Sequence, residues 1–421
     1  MADLQIGKAP PNSAILPFYA TGAIAFLVLT LLLFSSADSF TGHYFSPHTL
    51  TWVHTAALGW GTMIIFGAAH QLLPVICERD LFKVNLASFS FYTLTSGVML
   101  LAFSFWNFRV GWMMITGGSL IVLSVLFYAI NVIMTSRIYQ SYSIQKLFII
   151  SSALWLLFTV VVGLLLAINL SHPFFARSHM EILKLHAHAG LAGWFLQLII
   201  GVSSKLVPMF LLGKSSKDKL LNCAFIVQNI GLSAFLIDGY FLGSSSRFLI
   251  YGALILIGIV CWLLYLYDTF KKRVRKKIEL LMKQTFFSFL CLLLSVSLLP
   301  VVYFSKGTQW SLLYGTLLFL GWITNIILGM TFKTLPFIVW NDHYKMLSGK
   351  VKVPLPKQLY NEKLLPWQFR STIAALVSLS VGIIFQQSCI IQIALGLWIV
   401  VAVLYNWNVF KVLMHKTNTT L

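Results

Sequence analysis

Histidine is the residue type whose placement in this chain most strongly suggests chemistry, because neutral imidazole binds metal ions and haem iron. Seven of the ten histidines fall at or just before the predicted outer ends of two apolar segments, the second and the sixth. They are His43, His48, His54, His172, His179, His186 and His188. Chance would not concentrate them in this way, so the sequence predicts a cofactor or metal site at these two ends.

The second and sixth segments share one pattern, displaced by 134 residues. Each has a histidine, a Gly-Trp pair, a second glycine, a leucine and a proline. The matching sets are His54, Gly59, Trp60, Gly67, Leu72, Pro74 and His188, Gly193, Trp194, Gly201, Leu206, Pro208. Equivalent histidines at equal depth suit the axial ligand pair of one haem or metal, so we predict this role for His54 and His188. The alternative is that they join helices by hydrogen bonds, worth about 0.6 kcal/mol each in membranes.

His186 lies two residues before His188, which on a helix turns its side chain to the opposite flank. The two rings therefore cannot chelate one ion, and we predict that His186 serves a second haem or a copper position. His179 and His48 are weaker metal candidates, and no catalytic residue is identified by the spacing.

Composition indicates the elements that must position these histidines. The chain is 58% hydrophobic and 10% charged, with a mean hydropathy of +0.85, which excludes an ordinary soluble enzyme. Runs of about 20 apolar residues, enough to cross a bilayer, occur twelve times. They cover residues 14–36, 48–77, 82–107, 109–135, 144–170, 181–212, 217–241, 246–270, 278–304, 309–338, 365–386 and 389–413. The sequence therefore predicts an all-α integral membrane protein.

The distribution of basic residues predicts the orientation of these spans. Of the 30 lysines and arginines, 25 fall on one side and five on the other: Arg109, Arg177, Lys184, Arg247 and Lys306. By the positive-inside rule both termini are cytoplasmic, in a cytoplasmic (inner) membrane of bacterial type. The basic run 271–277 then predicts contact with anionic lipids and not with nucleic acid. Arg109 and Arg177, on the outer side, are predicted to pair with haem propionates.

The pattern returns a third time, 128 residues later, in the tenth span. Gly321, Trp322, Gly329 and Pro336 repeat it, whereas Thr316 replaces the histidine. The chain is therefore predicted to be a single membrane domain over 1–421, with three pseudo-symmetric four-helix repeats at 14–135, 144–270 and 278–413. A cytoplasmic loop is predicted at 339–364. This periodicity argues against a transporter of two six-span halves, which stays the third alternative.

The motif His186-Ala-His188-Ala-Gly-Leu-Ala-Gly193-Trp194 resembles the tenth-span motif of haem–copper oxidase subunit I, especially the cbb type. The segment from Trp52 to Trp60 is similar to the same motif. In that family the first histidine of the pair binds a high-spin haem and the second a low-spin haem, whose other ligand comes from span two. The resemblance implies haem b, with copper as a further cofactor, and an electron donor or further oxidase-like subunits as partners beside the membrane lipids.

Several departures from the oxidase pattern leave two functions open. The histidine pair lies on the sixth span, Thr316 stands in the tenth, and no adjacent histidine pair exists, so the copper B ligands are not identifiable. One reading is an oxidoreductase-like haem protein, similar to cytochrome c oxidase subunit I, with redox or diatomic-gas (O2 or NO) chemistry near the outer face. The NnrS family, to which the motif is also similar, suggests a non-catalytic haem or copper protein of the nitric-oxide stress response.

Overall fold

The computed structural model describes residues 10–136, 143–305 and 307–417. Over these residues the regular structure is helical, and the β structure is limited to an isolated bridge between Ser348 and Val351. The predicted all-α class is confirmed.

Twelve helices of the described residues are long and apolar enough to cross a membrane. They are α1 (Asn12–Ser35), α2 (Pro47–Cys77), α3 (Val84–Trp106), α4 (Trp112–Ser136), α5 (Ile144–Ser171), α6 (His179–Leu211), α7 (Asp218–Phe241), α8 (Arg247–Lys271), α9 (Leu280–Phe304), α10 (Thr308–Tyr344), α11 (Leu364–Phe385) and α12 (Ser388–Leu413). The prediction of twelve spans is therefore confirmed, and every boundary but one lies within three residues of its predicted place.

The exception is the end of α10, which continues to Tyr344 instead of stopping at 338. The apolar run ends near there, but the polar residues after Trp340 keep the helical conformation. Apolar length therefore underestimates this helix, and the connection predicted to begin at 339 begins at 345. It contains the short 3₁₀ helix Pro356–Leu359.

Helices α2, α6 and α10 are the most deeply buried of the twelve. In their most apolar stretches 78%, 72% and 78% of the residues are buried, against 28–44% in the other nine helices. A helix that is apolar on all sides and buried belongs to the protein interior, whereas the others expose apolar side chains as lipid-facing helices do. The three helices that carry the repeated sequence pattern are therefore interior helices.

The same three helices each contain a π-helical segment at the corresponding place. In α2 it covers Thr55–Thr62, in α6 Ala189–Leu196 and in α10 Leu317–Ile323. The starts of these segments differ by 134 and 128 residues, as do the sequence motifs. The segments begin directly after His54, His188 and Thr316. Such wide turns are rare and often occur at functional sites. The three-repeat organisation stays a prediction, which this regularity supports.

One compact unit contains α4 to α8 with most of α3 and comprises residues 71–104 and 109–278. Within it, α6 lies close to α5 at two glycines of the motif. A Cβ added to Gly193 would lie 2.6 Å from Cβ of Trp155, and one added to Gly201 would lie 2.8 Å from Cβ of Phe148. These glycines therefore serve helix packing.

The second compact unit contains α1, most of α2 and α9 to α12, in residues 10–70, 105–108 and 279–417. Trp60 is fully buried in it. Its indole stacks on Phe26 of α1 with ring centroids 4.4 Å apart and donates from Nε1 to Thr324 Oγ1 of α10 at 3.1 Å. Tyr405 of α12 meets the same indole edge-on at 5.1 Å. The Trp of the motif is thus held by three helices of its own unit.

Candidate functional site

His54 ends the first α-helical part of α2 and is half-buried. Its Nδ1 lies 2.7 Å from the carbonyl oxygen of Leu50, one turn earlier, and its ring lies 4.7 Å from that of Phe105. A carbonyl oxygen only accepts hydrogen bonds, so Nδ1 carries the proton and the lone pair of the neutral ring lies on Nε2. This bond also fixes the ring orientation, as expected of a histidine that coordinates through Nε2.

His188 has the same local arrangement in α6. It ends the first α-helical part, its Nδ1 lies 2.8 Å from the carbonyl oxygen of Lys184, and the π segment follows. The centroid of its ring lies 5.3 Å from that of Phe235 of α7. Phe235 itself forms a buried apolar cluster with Leu185 and Leu232. His54 and His188 therefore have the same tautomer and the same position at the end of an α-helical part. Each donates to the carbonyl oxygen four residues earlier in its own helix, within its own unit.

His186 lies on the other flank of α6, against α5. Its Nδ1 donates to the carbonyl oxygen of Thr159 at 3.0 Å. A Cβ added at Gly163 would lie 2.8 Å from Cε1 of the imidazole, so any larger residue would displace this ring. His186 is thus held by α5, whereas His188 contacts α7, so the two rings lie in different environments.

The weaker candidates have local partners of their own. His48 faces Ser39 Oγ at 3.3 Å from Nδ1, and its ring lies 4.5 Å from that of Trp106. His179 is the first residue of α6 and is half-buried. Within the described residues, no three histidine, cysteine, aspartate or glutamate side chains lie together as a metal site. A metal or haem iron held here would therefore use one or two ligands of the protein.

The outer arginines have different environments. Arg177 donates from Nε to the carbonyl oxygen of Tyr240 at 2.9 Å and from its terminal nitrogen to that of Phe241, which caps the end of α7. Arg109 is exposed, with its guanidinium 5.9 Å from the ring centroid of Phe103. Arg247 pairs with Asp238 at 3.1 Å. Arg109 is thus the more exposed of the two arginines predicted to bind propionates.

The sequence reasoning missed a polar cluster between α5, α6 and α7, whose nearest member on α5, Trp155, lies one turn before Thr159. The side-chain oxygen of Asn229 accepts hydrogen bonds from Trp155 Nε1 at 2.9 Å, Ser151 Oγ at 3.2 Å and Gln197 Nε2 at 3.2 Å. Gln197 comes directly after the π segment of α6. The Asn229 amide in an otherwise apolar span is a visible signal, but its partners on α5 and α6 cannot be read from the spacing.

Comparison with known proteins gives one partial similarity. No protein-family model matches the chain. A stretch of 64 residues is 36% identical to a cytochrome c oxidase subunit 1 homolog of Agrobacterium tumefaciens (strain T37), and 64 residues are 36% identical to cytochrome c oxidase subunit 1 of Rhodobacter capsulatus. The chain is similar to the haem–copper oxidases. In both cases the match covers 15% of this chain and 12% of the relative.

The similarity agrees with a membrane protein, and the twelve-helix all-α architecture is consistent with the fold of cytochrome c oxidase subunit 1. Because the chain covers only 12% of the length of these relatives, their activity and partners are matters for proposal.

Proposed function

We propose that this chain is a haem-binding integral membrane protein related to cytochrome c oxidase subunit 1, with redox or diatomic-gas chemistry at the ends of the spans that carry the histidines. The observation that supports the proposal best is the common construction of α2 and α6. In each, a histidine ends an α-helical part, donates from Nδ1 to the carbonyl four residues earlier, and is followed by a π segment.

The donor chemistry fits haem iron. A neutral imidazole with its proton on Nδ1 offers Nε2 to a metal, and the backbone bond holds the ring in that tautomer. Each of His54 and His188 would bind haem iron of the b type, the role that the sequence repeat predicts. His186 would bind a second haem or a copper ion, with Thr159 and Gly163 holding its ring. A bound haem supplies an iron that changes oxidation state or binds a small gas.

The chain's own residues would bind and orient this group. The carbonyl oxygens of Leu50 and Lys184 keep the protons of the two histidines on Nδ1. Phe105 and Phe235 pack against the two rings and limit their rotation. Arg109 would contact a propionate, whereas Arg177 would do so only with donors that it does not use at the end of α7.

The absorption spectrum of the purified protein tests the proposal. We expect the Soret band and the reduced α-band of a six-coordinate b-type haem. His54→Ala and His188→Ala should each remove the low-spin spectrum, and added imidazole should restore it. His172→Ala, at an exposed histidine just after α5, is the matched control and should leave the spectrum unchanged.

A colourless preparation would contradict the haem proposal and favour a transporter. An unchanged spectrum in His188→Ala would contradict the assignment of that ligand. Consumption of O2 or NO in the presence of a reductant supports an oxidoreductase. A haem protein that consumes neither gas would instead fit a non-catalytic, NnrS-like role.

A further inference from the structure

Two cysteines that are far apart in the sequence come together between α7 and α8. The Sγ atoms of Cys223 and Cys261 lie 3.8 Å apart, with the thiol of Cys261 donating to the sulfur of Cys223. Both residues are half-buried. The chain has no CxxC spacing, so the sequence gives no sign of this pair. None of the candidate haem ligands is part of it.

We propose that Cys223 and Cys261 form a binding site for one soft monovalent metal ion, with Cu(I) the natural candidate. Thiolates are soft ligands that select Cu(I), Zn(II) and iron–sulfur clusters. Zn(II) takes four ligands in structural sites, whereas the described residues contain no group of three metal-ligating side chains. A d10 monovalent ion accepts two ligands on opposite sides, which is what two facing thiols offer.

The distance between the sulfurs favours a bridging ion over a disulfide. With metal–sulfur bonds of about 2.3 Å, as for zinc thiolates, a linear arrangement separates the sulfurs by about 4.6 Å. The observed 3.8 Å is therefore about 0.8 Å too short for the linear ion, which small side-chain rotations can supply. A disulfide of about 2.05 Å would require the sulfurs to approach by about 1.8 Å, the larger of the two displacements.

Close packing holds α7 and α8 side by side near the thiol pair. A Cβ added at Gly231 of α7 would lie 3.0 Å from Cβ of Leu254, and one at Gly258 of α8 would lie 2.5 Å from Cγ of Gln228. The helices are already as close as glycines permit. The small separation of the sulfurs that metal binding needs is therefore assigned to the two cysteine side chains and not to the helices.

Charge balance favours the same ion. Binding one Cu(I) to two thiols forms two metal–sulfur bonds, releases two protons and leaves one net negative charge on the site. Cys223 lies one helical turn after Lys219, in the first turns of α7, where Lys217 and Asp218 also lie. From α8, Tyr265 and Asp268 follow Cys261 by one and two turns, and Asp268 is itself paired with Lys272. Of these charged residues, Lys217 and Lys219 outnumber Asp218, and Lys272 offsets Asp268, so their summed charge is positive.

Competition for Cu(I) between the purified full chain and a chromophoric chelator tests the proposal. We expect one Cu(I) per chain with two sulfur neighbours in X-ray absorption, and an apparent affinity that rises by up to about 100-fold per pH unit because two protons are released. Cys223→Ser and Cys261→Ser should each abolish this binding. Cys389→Ser, at an exposed single thiol, is the matched control and should retain it.

Uptake of Cu(I) by either serine variant that equals the uptake by the unaltered chain would overturn the proposal. So would a protein that is isolated with the two cysteines oxidised and binds no Cu(I) once reduced. If the serine variants do not fold, alkylation of the unaltered chain gives the same answer. Bound Cu(I) should protect Cys223 and Cys261, but not Cys389, from the reagent. If Cu(I) did not lower the labelling of Cys223 and Cys261, the site would be refuted. These readouts do not depend on haem.

Discussion

At the scale of single residues, the orientation of the histidines depends on backbone carbonyls. His54 and His188 donate to carbonyls of their own helix, four residues earlier, whereas His186 donates to Thr159 of a neighbouring helix. The spacing in the sequence predicts that His186 and His188 face opposite flanks. It does not show which neighbour fixes each ring, because that depends on how α5 and α7 pack against α6.

The contact between Gly163 and His186 gives a testable prediction. Gly163→Ala places a methyl group 2.8 Å from the imidazole. We expect it to lower the free energy of unfolding by about 1–3 kcal/mol, as overpacking of a filled interior does. The thermal midpoint in detergent measures the effect.

A double-mutant cycle identifies the cause of that loss. In the His186→Ala background the same Gly163→Ala change should cost much less, because the clashing ring is absent. An equal cost in both backgrounds would show that the glycine serves helix packing and not the placement of His186.

His415 gives a prediction of pH dependence at the end of the described chain. Its Nε2 lies 2.8 Å from the hydroxyl oxygen of Tyr344, and its ring centroid lies 5.8 Å from that of His343. Burial, followed by the charge of His343, lowers the pKa of His415 below its usual 6.5. The neutral form is favoured in the folded chain, so the contribution to stability is present above pH 6.5 and is lost as the pH falls through the lowered pKa.

Hydrogen exchange of residues 414–417 should therefore accelerate as the pH falls below 6.5, beyond the intrinsic effect of pH on exchange. His415→Gln, which can still hydrogen-bond but does not titrate, is the control and should show no such additional change. Equal pH dependence in both proteins would exclude His415 as the group responsible.

At the scale of elements, the helices that carry the motif differ from a regular α-helix. Each has a π segment directly after the position occupied by His54, His188 or Thr316. In α10, the side chain of Asn325 donates hydrogen bonds from Nδ2 to two backbone carbonyl oxygens of the π segment. These are the carbonyls of Leu320, at 3.0 Å, and Gly321, at 2.9 Å. The sequence repeat predicts that these helices are alike, but apolar periodicity cannot distinguish a π turn from an α turn.

The second glycine of each motif gives a prediction about helix packing. A Cβ at Gly201 would lie 2.8 Å from Cβ of Phe148 and 3.2 Å from the backbone oxygen of Gln145, which cannot move easily. We expect Gly201→Ala to lower the free energy of unfolding by about 1–3 kcal/mol.

Gly315→Ala, in α10, is the matched control, because nothing lies within 4 Å of an added Cβ there. Helix propensity alone should make this change neutral or stabilising by up to about 1 kcal/mol. Both variants would be compared by thermal unfolding in the same detergent. If both changes had the same sign and size, close helix approach would not be the reason for Gly201.

At the scale of the whole molecule, twelve helices of the described residues are long and apolar enough to cross a membrane, and their orientation is a prediction. Twelve helices and 25 basic residues on one side predict that the connections 272–279 and 345–363 are cytoplasmic, whereas 107–111 is external. Single cysteines introduced into these connections of an otherwise cysteine-free chain, probed with a membrane-impermeant reagent on intact cells, test this. Only the cysteine in 107–111 should react. Labelling of a cysteine in either of the other two connections would contradict the predicted orientation.

The sequence by itself determined the twelve spans, their boundaries within a few residues and the three helices that carry one motif. It could do so because the bilayer imposes apolar length on each span separately, and because equivalent helices keep equivalent residues. Only the tertiary structure decided the proton positions on His54, His186 and His188, the glycine that admits the His186 ring, and the thiol pair of Cys223 and Cys261. These are contacts across space between helices or with backbone atoms, which leave no periodic trace along the chain.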